Sequence, residues 1–259
     1  MRNALKWLLQ SRETPFDISF LSFWHILYLI VIIGSTILLG YYLIKNPQKK
    51  KGVIDAIVTA LVLVYVLDFF THPLTRDDFS MNVDKLPFHI CTILCPISAL
   101  TRFNHRFEKF KEPVSFLAIV APLMYMVYPG SAIGDISPLC YEVIQTFVYH
   151  GLLFSFGFNM IATGEVKPNI RNSWKAVIGI CLIALWASIG NAVYNGDDVS
   201  HHYDWFFLTG STFPFVPAPL MPFAVIFCVS AMVYLIYGIY YGVIHFTAKR
   251  ETKRTLKTV

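Results

Sequence analysis

Seven apolar stretches, at about 20–44, 53–70, 86–101, 113–129, 141–163, 174–194 and 219–246, divide this sequence and leave mostly short polar connections between them. Most are long enough for a helix to cross a hydrocarbon layer of about 30 Å, and helices satisfy their own backbone polar groups, as lipid requires. The chain of 259 residues is 56% hydrophobic and only 14% charged, which excludes an ordinary soluble domain. The expected fold class is therefore all-α, a polytopic membrane helical bundle of about seven transmembrane helices over residues 20–246. The third and fourth stretches are short and contain or border Pro87, Pro96, Pro113 and Pro122. Kinked or unwound turns are expected there.

The net charge of +5 is not the footprint of a nucleic-acid binder, because the cations lie in short clusters between apolar stretches. No nucleic acid partner is expected. Sixteen of the 21 Lys and Arg residues alternate onto one side: Lys45 and Lys49 to Lys51, then Arg102, Arg106, Lys109 and Lys111, then Lys167, Arg171 and Lys175, and finally Lys249, Arg250, Lys253, Arg254 and Lys257. The other side keeps Arg2, Lys6, Arg12, Arg76 and Lys85. The positive-inside rule puts the N-terminus outside and the C-terminus in the cytoplasm, with residues 247–259 as a basic cytoplasmic tail. Nothing typical of a cleaved leader precedes the first stretch, which is expected to be retained. Residues 1–19, with "ALKWLLQ" at helical spacing, read as an interfacial segment or as a frayed terminus.

With that topology most unusual polar residues fall in the outer half of the bundle. Asp68 and His72 lie near the outer end of the second stretch, His89 and Cys91 near the start of the third, Gln145 and His150 in the fifth, and Asn191 and Tyr194 at the end of the sixth. Ionisable groups inside spans are costly and normally face a bundle interior or a wet cavity, so the cluster implies an outward-opening polar pocket. At about 1.5 Å per residue, Cys91 lies about 7 Å and His150 about 13 Å below the outer boundary. A thiol becomes a nucleophile when a base holds it as thiolate, and an imidazole whose depth coincides with it, to within the few residues by which span ends shift, supplies one. His89 projects away from Cys91 on a regular helix and helps only if Pro87 unwinds the preceding turn. Asp68 and His72, at i and i+4, read as a local pair.

The five cysteines form no disulfide framework. Cys95, Cys181 and Cys228 read as packing residues, with Cys140 at the edge of a stretch. Cys91 and Cys95 share a helical face, yet no paired CxxC or HExxH accompanies them, so no metal is expected. The outer connection Asn195 to Ala218 is the only one long enough to form a lid.

These motifs resemble those of the YwaF-type integral membrane proteins, grouped with the transmembrane protein 164 family. "LPFHIC" at 86–91 resembles that family's Leu-Pro-Leu-His-Leu-Cys signature, "YHGLL" its histidine-bearing helix and "GNAVY" its Asn-Tyr element, here with Ala192 and Val193 between the two. The resemblance implies acyl chemistry on membrane lipids, a phospholipid or lysophospholipid, in the cell membrane. It implies Cys91 as nucleophile and His150 as base, and it requires no cofactor. Asn191, Tyr194 and Gln145 stand as oxyanion or substrate-binding candidates by depth, with His89 and Asp68 beside them. The function expected is a lipid acyltransferase or ester hydrolase; the alternative is a transporter or small-ligand binding protein using the same pocket.

Overall fold

A computed structural model describes residues 18–75, 83–129, 137–196, 203–208 and 216–255. Among them run seven α-helices: α1 (Phe23–Lys45), α2 (Lys50–Thr75), α3 (Ile90–Phe103), α4 (Lys111–Val127), α5 (Tyr141–Ala162), α6 (Ser173–Asn195) and α7 (Met221–Thr255). Each falls on one of the seven apolar stretches. Five helical segments, Phe23–Lys45, Pro47–Phe70, His105–Val127, Ile170–Asn195 and Met221–His245, are long and apolar enough to cross a membrane. Helices α3 and α5 are not among them: α3 has 14 residues, and α5 carries Gln145, His150 and Asn159 along its 22. The expected interfacial segment over 1–19 lies outside the described residues except for Ile18 and Ser19. The helical backbone of α7 runs into the basic tail as far as Thr255.

Burial explains why α5 tolerates polar residues. It packs against α1, α2 and α4, with Val143, Phe147 and Phe154 in one apolar cluster and Tyr149, Leu153, Phe156 and Met160 in another. A helix surrounded by protein needs no lipid-facing surface. Its contact with α4 is close: a Cβ on Gly157 would sit 2.5 Å from the Ser115 carbonyl oxygen, so only glycine lets these backbones meet. Every α4 residue from Pro113 to Pro122 is buried. By contrast α1 exposes Phe23, Ile30, Leu38 and Ile44 and forms an outer wall. It makes a polar contact with α4 through the fully buried His25, whose Nε2 donates to the Met126 carbonyl at 2.8 Å while Nδ1 accepts from Leu21 N–H at 3.0 Å.

The ends of α2, α3 and α5 that bear the basic clusters are tied by charge. The Arg102 guanidinium, its side chain 5% exposed, pairs with Asp55 of α2 and with Glu165 just after α5, and donates to the Lys51 carbonyl at 3.2 Å. Lys50 completes the network on Glu165 at 3.3 Å. Glu112 in the first turn of α4 accepts from Asn169 N–H at 2.6 Å, Asn172 Nδ2 at 2.8 Å and the Tyr237 hydroxyl at 2.8 Å, joining α4 to the α5–α6 connection and α7. Lysines at this end lie over aromatic rings, Lys45 on Tyr41 at 4.4 Å and Lys175 on Trp174 at 6.0 Å, as amphipathic side chains do at an interface.

Removing Arg102 leaves Glu165 with Lys50 and Asp55 with the exposed Lys51 as remaining partners. Arg102→Ala should destabilise the bundle by about 1–3 kcal/mol, and Arg102→Lys by less, because one compact charge still serves one of the two partners. Thermal unfolding in detergent checks the order; equal melting temperatures for the parent and Arg102→Ala would refute it.

Candidate active site

The site is built where α3 begins late. The apolar stretch starts at Leu86, but Pro87 fixes its own φ and disfavours helix before it, and the helix forms only at Ile90. Residues 86–89 are irregular and held by side chains. Thr92 Oγ1 donates to the carbonyls of Leu86 at 3.1 Å and His89 at 2.9 Å, and Trp186 Nε1 of α6 donates to the Pro87 carbonyl at 2.8 Å. His89 is the N-cap residue with extended backbone (φ −73°, ψ 150°), and its side chain makes no capping bond. Its Nδ1 instead accepts from Phe206 N–H at 3.2 Å. The unwound turn that Pro87 had to provide is therefore present, and His89 lies off the helix. Cys91 sits buried in the first turn of α3.

Helix α5 passes alongside. The Tyr149 hydroxyl donates to the Cys91 carbonyl at 2.7 Å and lies within hydrogen-bond reach of the Cys95 thiol. The next residue, His150, is buried, with Nδ1 at 2.8 Å from the Thr146 carbonyl. A carbonyl only accepts, so Nδ1 carries a proton and the neutral ring presents the Nε2 lone pair. Tyr125 of α4 stacks on that ring, centroids 4.0 Å apart at 9°. Tyr149, next to His150 in sequence, thus reaches the first turn of α3, which bears Cys91; among the described residues neither Cys91 nor His150 is the other's hydrogen-bond partner. Gln145 is buried one turn from Tyr149 on the same face of α5, its Oε1 accepting from Thr146 Oγ1 at 3.5 Å.

A segment after α6 covers this level. The Asn191 carboxamide grips the Trp205 backbone at both ends, Oδ1 accepting from its N–H at 2.8 Å and Nδ2 donating to its carbonyl at 3.2 Å. Asn195 grips Tyr203 likewise, at 2.8 and 2.7 Å. Trp205 and Phe206 are buried within the same cluster as Cys91. Phe206 and Phe207 both hold left-handed backbone, φ 64° and 55°, a strain of roughly 1–3 kcal/mol each that the surrounding packing must sustain. Phe88 is sandwiched beneath: its ring lies 4.8 Å from Trp205, 5.1 Å from Trp186 and 6.0 Å from Tyr194, and a Cβ on Gly190 would overlap it. The TMEM164 family matches residues 20–241, from just before α1 into α7. The chain belongs to the TMEM164 family. No curated protein and no solved structure matches it.

In this TMEM164-family chain the other expected residues fall as follows. Asp68 pairs with Lys85 at 2.8 Å, from the connection that Tyr65 also holds through the Lys85 carbonyl at 2.7 Å; the His72 side chain, expected as its partner, lies outside the described residues. Asn191 supports the backbone of the covering segment, and Tyr194 packs edge-on against Phe88 and Trp205. Cys95 is in the core as expected, whereas Cys181 is exposed on the outside of α6, because its position on that helix faces away from the bundle. Sequence reasoning missed Tyr149, Asn195 and Trp205. The i, i+4 spacing of Asn191 and Asn195 is the signal that pointed to the last two.

Asn191→Ala leaves a buried N–H and C=O of Trp205 unpaired, each costing about 1–3 kcal/mol. Hydrogen exchange over residues 203–208 should accelerate while α4 and α5 stay protected, with Asn191→Asp intermediate because it retains the acceptor. Unchanged exchange in Asn191→Ala would show that the grip is dispensable.

Proposed function

We propose that this protein is an integral membrane lipid acyltransferase or lipid ester hydrolase working through an acyl-thioester on Cys91, with His150 as its base. One observation carries the reading: the Tyr149 bond to the Cys91 carbonyl brings the histidine-bearing turn of α5 to the first turn of α3. Membership of the TMEM164 family adds weight, since the motifs quoted above imply a thiol and an imidazole in these places.

His150 Nε2 takes the Cys91 proton, and Sγ attacks the ester carbonyl of a phospholipid. The C–S bond forms, the C–O bond breaks, and the lysolipid oxygen leaves with the proton that His150 returns. A second lysolipid hydroxyl, or water, then loses its proton to His150 and attacks the thioester, and the departing thiolate is reprotonated. Charge on the carbonyl oxygen during both steps calls for donors. The Gln145 amide and the first-turn N–H groups of α3 are the candidates, because Asn191 is occupied by Trp205. Burial of Cys91 suits a substrate that arrives through the bilayer.

The seven helices are taken to cross the cell membrane with the N-terminus outside and the tail in the cytoplasm, the charge network of Arg102 marking the cytoplasmic boundary. Eleven residues of helix then lift Cys91 about 16 Å from that boundary, near mid-bilayer. A tag at the N-terminus should be reached by impermeant reagents on intact cells and one at the C-terminus should not; the reverse pattern refutes this orientation.

The chemistry is tested on protein purified in lipid nanodiscs. Intact mass should show an acyl adduct on Cys91 that is missing in Cys91→Ser. Cys91→Ser and His150→Ala should each abolish nearly all lipid turnover, and the double variant should lose little more, because groups acting as one unit are non-additive. Turnover retained in both single variants would overturn the reading. A transporter would tolerate Cys91→Ser and form no adduct.

A further inference from the structure

We propose that Tyr149 is the positioning residue of the Cys91–His150 pair, its hydroxyl setting the offset between α3 and α5 at which the imidazole meets the thiol; this rests on the acyl-transfer reading above. The imidazole has no slack of its own. Nδ1 is bound to the Thr146 carbonyl one turn back at 2.8 Å, and Tyr125 lies flat against the ring at 4.0 Å, so the ring moves only with α5. The thiol is equally committed, because Cys91 belongs to a helical turn whose lead-in is pinned by Thr92, Trp186 and Phe206. What remains is the placement of one helix against the other.

Among the described residues, the hydrogen bond that fixes that placement at this level is the one from Tyr149 to the Cys91 carbonyl at 2.7 Å. The ring of Tyr149 packs in the same apolar cluster as Cys91 and Cys95, so its hydroxyl meets α3 from a fixed side. Tyr149 is buried, so water cannot take over the bond. Because it immediately precedes His150, a displacement of its backbone passes directly to the base. Packing alone would be served by phenylalanine; the hydroxyl is what connects the two halves of the pair.

A structural role and a positioning role separate experimentally. In nanodisc-embedded protein, Tyr149→Phe should lower kcat roughly 10- to 100-fold with KM within about twofold, since a misplacement of about 1 Å costs that much. Alkylation of Cys91 near neutral pH should slow by a similar factor, and adding His150→Ala should slow it no further. Tyr237→Phe is the control: it deletes a hydroxyl bonded to Glu112 at 2.8 Å, at the end of the bundle that bears the basic clusters, and should lower the melting temperature with kcat unchanged. Tyr149→Phe with parental kcat and parental alkylation overturns the proposal. Should Tyr149→Phe fail to fold, 4-aminophenylalanine at position 149, which keeps the ring and offers the Cys91 carbonyl a weaker donor, should still reduce kcat several-fold, and an unchanged kcat there overturns the proposal too. If Cys91→Ser and His150→Ala both turn over lipid, the acyl reading fails, while the alkylation rates still decide whether Tyr149 couples thiol to imidazole.

Discussion

Helix α3 is too short, and the surroundings of the site follow from that. Its 14 residues rise about 21 Å, well under the thickness of a hydrocarbon layer, and irregular backbone at residues 86–89 leads into it. Irregular backbone at membrane depth survives only where protein satisfies it. Here the Leu86 and His89 carbonyls go to Thr92, the Pro87 carbonyl to Trp186, and the first turn of α3 receives Tyr149. These donors come from α3 itself, from α6 and from α5. Together they convert a proline-induced defect into a fixed, buried helix N-terminus with a cysteine in its first turn.

The second consequence concerns α5. A helix bearing glutamine, histidine and asparagine at its buried positions is poorly suited to face lipid, and the bundle places it between α1, α2 and α4. Buried polar groups are expensive when unpaired and specific when paired. His150 has Thr146, and Asn159 Nδ2 donates to the Ser155 carbonyl at 2.8 Å. These bonds are local, within α5 itself. The long-range bonds from Tyr149 and from the Arg102 network then orient the helix against its neighbours.

Much of this was legible in the sequence, because hydropathy and charge alternation are summed over many residues. All seven stretches became helices, and Cys91, His150, Gln145 and Asn191 are all buried. What sequence could not supply were partners chosen by tertiary contact. Asp68 pairs with Lys85 across a connection, a partner seventeen residues on that no local spacing marks. Asn191 had the depth of an oxyanion donor, but its amide is taken by Trp205, fourteen residues on. Tyr149 was invisible for another reason: in a chain with 14 Tyr and 22 Phe, one more aromatic in an apolar stretch carries no signal. The start of α3 was misjudged by four residues because hydropathy continues through Pro87 and the hydrogen-bond ladder does not.

The two asparagines of α6 act together as an artificial sheet edge. Four residues of helix advance about 6 Å, and two residues of chain reach at most about 7 Å, so side chains at i and i+4 can meet the backbone of residues j+2 and j. That commensurability is local and unforgiving. One residue inserted between Tyr203 and Trp205, or between Asn191 and Asn195, would put the two grips out of step. The length of chain between Asn195 and Tyr203 does not enter the match at all. The covering segment is therefore indexed to α6 by spacing rather than by the loop that delivers it, and loop length is free to change without moving Trp205 from its place above Phe88.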